Sequence, residues 1–509
     1  MKISAIIPAT IICYLIMMLV IGIIFSKKNK NVSDFYLGGR QLGPIVTAMS
    51  AEASDMSSWL LMGLPGVAYL TGGAEAGWTA IGLAVGTYLN WLLVAKRLRI
   101  YSQKVGAITV PDFFSNRYRD KSNALMGISA LIILIFFVPY TASGFSACGK
   151  LFNTIFGWDY HVAMIVSAIV IITYTCTGGF LAASFTDLIQ SIVMTTALIS
   201  IIIFGINKAG GTDVVIDNAR SIDGYFSLLH IHNTETGEAD PYTFLTIVST
   251  LAWGLGYFGM PHIILRFMAI EDKNKIKTSR RIASVWVVIS MAVAIFIGFI
   301  GNLLSKQEVI ENLEDSERII IRIALYMSEH GIFLAIIAGL VFAGILACTM
   351  STSDSQLLAA SSSMSENILK GVFKMKLNEK MSMISARAVL IVIAVLGVIL
   401  AWDQDSSVFR VVSFAWAGFG ATFGPVMLAA LFWKRSNKYG AIAGMIAGGV
   451  MVFVWKFVIS GFGGVFAIYE LLPAFVVAMI AIIAVSLLTE KPNKQITDEY
   501  DSVLDEMKK

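Results

Sequence analysis

The stretch Thr47-Ala48-Met49-Ser50-Ala51-Glu52-Ala53-Ser54-Asp55-Met56-Ser57-Ser58-Trp59-Leu60-Leu61-Met62-Gly63-Leu64-Pro65-Gly66 decides how this chain is read. It lies inside an apolar run over residues 43–69, yet places Glu52, Asp55 and the hydroxyls of Ser50, Ser54, Ser57 and Ser58 in mid-run. A carboxylate at the centre of a bilayer costs about 2.5–3.5 kcal/mol on insertion scales. No Lys or Arg within the run offsets that cost. A chain keeps such groups where they face a cavity, an ion or a distant partner; a protonated structural carboxylate is the plainer alternative. The hydroxyls around them favour an ion or solute pathway.

The rest of the sequence supports the bilayer reading. Of 509 residues, 57% are hydrophobic and 14% charged, with a mean hydropathy of +0.75; soluble domains carry about 25% charged residues. The apolar residues fall in blocks of about 20, the length that crosses a hydrocarbon core of about 30 Å. About thirteen spanning segments are predicted, at 5–25, 43–69, 76–95, 124–149, 161–180, 186–207, 242–264, 283–304, 332–360, 386–401, 407–433, 440–459 and 467–488. The first has no charged residue and ends on Ser26-Lys27-Lys28-Asn29-Lys30. It is longer than the apolar core of about 7–15 residues in a secretory signal, so a retained helix is expected.

Most of the 38 Lys and Arg fall in connections on one side. The positive-inside rule then puts the N-terminus outside and the tail in the cytoplasm. The two long outer connections, 208–241 and 305–331, read as solvated loops, with short surface helices or gates as the alternative. The expected units are a first helix and loop (1–40), a group of five segments (41–210), an outer connection (211–241), a second group of five (242–435), two further helices (436–490) and a tail (491–509).

Segment seven reads Trp253-Gly254-Leu255-Gly256-Tyr257-Phe258-Gly259-Met260-Pro261-His262. Three glycines and a proline undermine an unbroken helix, and freed backbone groups at membrane depth need protein or a water-lined cavity to satisfy them. Trp253 and Tyr257 are four residues apart, so one helical face presents two rings with polar tips. That suits a small zwitterion with an aliphatic ring; a packing kink is the plainer reading. Segments two and seven each open a group of five spans, the placement that marks a transporter site between inverted repeats. Segment nine carries Cys348-Thr349-Met350-Ser351-Thr352-Ser353-Asp354-Ser355. Its adjacent hydroxyls offer the oxygen ligands that a hard monovalent cation takes, or else ordinary helix–helix hydrogen bonds. Asp187 and Asp354, with Glu52 and Ser355, are candidate ion-pathway residues, the two aspartates being equally able to pair with cytoplasmic-side lysines.

Cys13, Cys148, Cys176 and Cys348 all lie in apolar blocks without CxxC pairs or histidine clusters, which supports neither disulfides nor a zinc site. No Walker loop, GxSxG, HExxH or HxExxxC pattern occurs. An enzyme, a bound cofactor and a nucleic-acid partner are therefore not expected.

These passages resemble the sodium:solute symporter family, and within it the sodium/proline symporters. The likeness covers about residues 5–490. It is carried by Leu42-Gly43-Pro44 through Ala53-Ser54-Asp55-Met56-Ser57, Trp59 to Gly66, Gly178-Gly179-Phe180 with Thr186-Asp187, Trp253 to Arg266-Phe267-Met268, and Met350-Ser351-Thr352. The resemblance implies an all-α polytopic membrane protein with a LeuT-like fold, two inverted five-helix repeats plus flanking helices. It implies sodium-coupled import of L-proline across the cytoplasmic membrane. Carried over by motif position, Ala53, Met56 and Cys348 would give backbone carbonyls to sodium, and Ser351 and Thr352 hydroxyls. Asp55 and Ser57 would tune sodium affinity and coupling. Trp59, Tyr140, Trp253, Tyr257 and Pro261 would line the solute pocket. The chain departs from the pattern at Ile45, Glu52, Ser58 and Cys348, where an aromatic, a small residue, glycine and alanine are usual. Glu52 makes proton coupling an alternative, and another solute, such as pantothenate or a different amino acid, keeps the fold with a changed pocket. A channel or a transporter-like sensor is the remaining rival.

Overall fold

The structure, a computed structural model, describes residues 3–26 and 32–508. The basic flank Lys27, Lys28 and Lys30 lies outside the described residues. The chain is helical almost throughout. The helices are α1 (Ile3–Ser26), α2 (Val32–Leu37), α3 (Pro44–Asp55), α4 (Trp59–Thr71), α5 (Gly73–Lys104), α6 (Val110–Arg117), α7 (Ala124–Phe156), α8 (Tyr160–Ala209) and α9 (Thr212–Ser221). They continue with α10 (Phe244–Phe258), α11 (Pro261–Ala269), α12 (Lys273–Lys306), α13 (Ile319–Ser328), α14 (Ile332–Val372) and α15 (Lys380–Leu400). Last come α16 (Val408–Phe432), α17 (Lys438–Phe462), α18 (Leu471–Leu488) and α19 (Lys494–Lys508). One antiparallel hairpin, β1 (His230–His232) with β2 (Ala239–Pro241), pairs His230 with Pro241.

Among the described residues ten helices are long and apolar enough to cross a membrane, or eleven when the bent pair α10–α11 is one span. The predicted segments two and five are not of this kind. Segment two is split into α3 and α4, and segment five is the arm Tyr160–Thr173 of the long helix α8. That helix turns at Gly179, whose φ of 65° and ψ of −176° suit glycine. The spans also overrun their predicted ends: helix α14 continues to Val372 and α5 to Lys104, because the helical backbone carries on past the apolar residues.

The two long connections, 208–241 and 305–331, carry secondary structure rather than plain loop. The first folds into α9 and the hairpin and buries Tyr225, whose hydroxyl donates to the Tyr69 carbonyl at 2.9 Å. The second folds into α13, with Ile319, Ile320, Ile321 and Ile323 buried. Apolar side chains at helical spacing inside polar connections draw them down onto the bundle.

Both broken segments have local causes. Helix α3 starts from extended Gly43 with Pro44 in its first turn, and stops where Met56 leaves the helical region at φ −75°, ψ 69°. Helix α10 tightens into 3₁₀ geometry over Ala252–Phe258. Met260 is extended, as a residue before proline must be, and Pro261 opens α11 at a bend of 45°. The glycines of α10 also permit close approach. A Cβ on Gly254 or Gly86 would collide with the backbone across the α5–α10 contact, and one on Gly256 with the indole of Trp416.

Candidate functional site

Breaking two helices inside a bundle frees backbone carbonyls that no water can reach, and such groups are costly unless satisfied. Here side chains from other elements satisfy them. The Ala53 carbonyl accepts the Ser351 hydroxyl at 2.7 Å. The Asp55 carbonyl accepts Trp59 Nε1 at 3.1 Å and the Tyr140 hydroxyl at 3.4 Å. In the second break, Trp416 Nε1 donates to the Trp253 carbonyl at 2.7 Å and Asn90 Nδ2 to that of Tyr257 at 2.9 Å. The two breaks join directly, since the Tyr257 hydroxyl donates to Asp55 Oδ2.

Of the expected ion ligands, Ala53, Cys348 and Ser351 meet: the Ser351 hydroxyl also lies 3.1 Å from the Cys348 carbonyl. Met56 is buried at the break itself. The Thr352 hydroxyl is buried with no hydrogen-bond partner, as is Asp55 Oδ1. Buried orphan oxygens call for an explanation, and neutral oxygen donors beside one carboxylate are a set that fits an alkali cation. Ser57 closes the break, its amide donating to the Asp55 carbonyl at 2.8 Å. No ion pair reaches Glu52 or Asp55 among the described residues.

Of the expected solute residues, Trp59, Tyr140 and Tyr257 converge on Asp55. Trp253 joins them by ring contact, its centroid 6.3 Å from that of Trp59. Pro261 is buried and opens α11 but makes none of these hydrogen bonds. On its other side the Trp253 ring stacks on Tyr469 at 5.3 Å and neighbours Phe409 at 5.4 Å. Two cavities of about 840 and 960 Å³ share Glu75, Phe409 and Arg410 in their walls, and Trp253 lines the larger.

Glu52 lies beside this cluster, its carbonyl accepting the Met56 amide at 2.7 Å, while Asp187, Asp354 and Ser355 form a second group. Glu52 accepts Trp91 Nε1 at 3.1 Å and keeps Oε2 unpartnered. Asp187 pairs with Arg266 at 3.1 Å rather than with a lysine. Arg266 also donates to Ser355 at 2.5 Å, Ser50 at 3.0 Å and the His262 carbonyl at 2.7 Å, while Ser355 donates to Asp354 at 3.1 Å.

Arg266, Phe409, Trp416 and Tyr469 were not singled out from the sequence. Arg266 has a sequence signal, because it interrupts the apolar run Pro261–Ile270. The three aromatics have none, being ordinary members of apolar segments.

The chain matches the Sodium:solute symporter family over residues 35–448. It is 42% identical over 492 residues to the high-affinity proline transporter PutP of Bacillus subtilis, covering 96% of this chain and 100% of that one. It is 43% identical over 500 residues to the sodium/proline symporter of Haemophilus influenzae, covering 97% and 96%. Among solved structures, a Na+-coupled sialic acid symporter in a substrate-bound outward-open state superposes with a TM-score of 0.80 at 20% identity, covering 96% of this chain and 99% of that one. MhsT in complex with L-phenylalanine gives 0.55 at 15% identity, covering 88% and 98%. The fold is that of these transporters.

Proposed function

The chain belongs to the sodium:solute symporter family, and from that premise we propose that it is a sodium-coupled symporter importing L-proline across the cell membrane by alternating access. Relatives named as proline transporters, about 40% identical over nearly the whole chain, support the solute and the ion together. The proposed architecture is two inverted five-helix repeats with flanking helices, thirteen spans in all when α3–α4, α10–α11 and the two arms of α8 are counted as spans. The N-terminus is outside and the tail inside. Matching breaks at the first helix of each repeat support it.

Sodium binds to the carbonyls of Ala53, Met56 and Cys348 and the hydroxyls of Ser351 and Thr352, with Asp55 and Ser57 supplying field and shape. The single observation that carries this is the Ser351 hydroxyl on the Ala53 carbonyl beside the unpartnered Thr352 hydroxyl. Proline lies among Trp59, Tyr140, Trp253, Tyr257 and Pro261. Ala53 and Asp55 are two residues apart on one turn, so fixing the first for the ion also fixes the carbonyl that holds Trp59 and Tyr140 for the solute. Each ligand then favours the other's binding, by the same coupling free energy in both directions. The membrane potential adds about 2.3 kcal/mol per charge per 100 mV to sodium entry. No covalent step is needed.

Uptake of labelled L-proline by the purified, reconstituted protein under an inward sodium gradient tests the reading. Uptake that vanishes when choline replaces sodium at fixed pH supports it, and uptake that survives the exchange overturns sodium coupling in favour of protons. Absence of proline counterflow removes proline as the solute.

A further inference from the structure

The tail helix α19, Lys494–Lys508, has no part in the cycle above. It carries five acids against two lysines and buries Ile496, Tyr500 and Val503, which share one helical face. Its acids meet cations of the bundle. Glu499 pairs with Arg119, in the connection before α7. Asp501 pairs with Lys434, just past α16, at 2.5 Å, and Glu506 with Lys273, at the start of α12, at 3.0 Å. Lys96 on α5 donates to the Met507 carbonyl at 3.2 Å. Lys96 and Lys273 therefore stand on the second spans of the two proposed repeats, while Arg119 and Lys434 stand on the connections of later spans. Rocking of the leading spans against the rest must stretch or break these contacts. The two large cavities lie at the other end of the molecule. Glu75, in the walls of both, is separated from Arg97, which donates to the Tyr500 hydroxyl, by about 30 Å of the helix α5.

We propose that α19 is an autoinhibitory strap across the end of the bundle that is cytoplasmic in the proposed orientation, and that rising ionic strength on that side loosens it. The ion pairs are open to solvent, Lys434 and Asp501 being 47% and 50% exposed. Such pairs hold weakly one by one and lose their hold as salt screens them. The buried face of Tyr500 keeps the helix at its seat, while the ion pairs set how firmly it ties the moving spans together. The strap holds its end shut while the cavities occupy the other, so slackening it speeds turnover without touching the ion or solute residues.

The test varies salt on the tail's side alone. Sodium-driven uptake of labelled L-proline is measured at zero membrane potential in proteoliposomes with the tail in the lumen, osmolality being matched with sucrose. Lumenal KCl is raised from about 0.1 to about 1 M, which shortens the Debye length from about 10 to about 3 Å. The initial rate is expected to rise about three- to eightfold, up to about twofold for each exposed pair. Lys434→Glu, which sets two like charges together, is expected to be fast already at low salt. The exchanged pair Lys434→Glu/Asp501→Lys is expected to be slow and salt-sensitive again, which a merely structural defect would not be. A parent rate that salt leaves unchanged, or an exchanged pair that stays fast, overturns the strap. If the unaltered protein takes up no proline, the proline reading fails separately. Amide hydrogen exchange over residues 494–508 then reads the docking without a solute: faster exchange at high salt supports the strap, and equal exchange overturns it.

Discussion

The Ser351 hydroxyl donates to the Ala53 carbonyl at 2.7 Å, tying the middle of α14 to the last turn of α3 before its break. If these oxygens take the coupling ion, Ser351→Ala and Thr352→Ala each raise the sodium concentration for half-maximal proline uptake by about tenfold, the loss of one oxygen ligand at about 1.4 kcal/mol. Uptake titrated with sodium at constant ionic strength reads this out, and an unchanged sodium curve removes both residues from the ion site.

Trp253 touches the solute in the proposed pocket and no ion ligand. Trp253→Ala is therefore expected to raise half-saturating proline by about tenfold or more, as loss of a large buried ring does, with sodium dependence within about twofold. Equal losses in both would mark a folding defect.

Gly86 leaves no room for a Cβ against the Gly254 backbone. Gly86→Ala should force α5 away from the broken helix α10 and cost about 1–3 kcal/mol, as overpacking does. Gly43→Ala, where a Cβ meets nothing within 4 Å, serves as the control. Thermal unfolding in detergent decides it; equal melting temperatures would show that the contact adjusts freely.

Asp112, on the short helix α6 outside the spans, has its carboxyl pushed up to about 6 by burial, against hydrogen bonds from Thr109 and Ile108 that favour its charged form. A folded value above the unfolded one makes the contribution complete below about pH 4 and lost as pH rises through about 6. The stability of the parent should therefore fall relative to Asp112→Asn across that window by on the order of 3 kcal/mol, read as a lower melting temperature. Parallel curves would refute the shift.

The tail helix α19 buries Tyr500, whose ring takes the guanidinium of Arg97 at 5.3 Å and of Arg117 at 5.5 Å. Tyr500→Ala should cost about 3–4 kcal/mol, from lost ring burial and lost cation–π contacts. A melting temperature within a degree of the parent's would show that the tail contributes nothing to stability.

Much of this was legible in the chain because glycine and proline act locally. Gly254, Gly256, Gly259 and Pro261 announced a broken helix, and Glu52 and Asp55 in an apolar run announced a buried polar site. The partners were not legible. That Tyr257 would reach Asp55, or Trp416 the Trp253 carbonyl, depends on packing between residues about 200 and 160 positions apart, which no window of sequence contains. Arg266 falls just past the predicted end of segment seven at 264, where a basic residue reads as a loop cation, yet it is buried. Averaging over composition hid α9 and α13, whose apolar faces are diluted by polar neighbours.

Arg266 has a mechanical consequence. From α11 its guanidinium reaches Ser50 on α3, Asp187 on α8 and Ser355 on α14, so one side chain fastens four helices. Stripping a partner from a buried ion pair costs about 3–5 kcal/mol, a penalty that a turnover cycle would meet twice per solute. Rocking that keeps these three contacts intact avoids it, so the cheapest motion turns about Arg266 as a fulcrum while the ends of α4 and α10 remote from it swing widest. Spin-label distances should change least at residues flanking Arg266 and most at those remote ends; uniform displacement along the helices would exclude a fulcrum there.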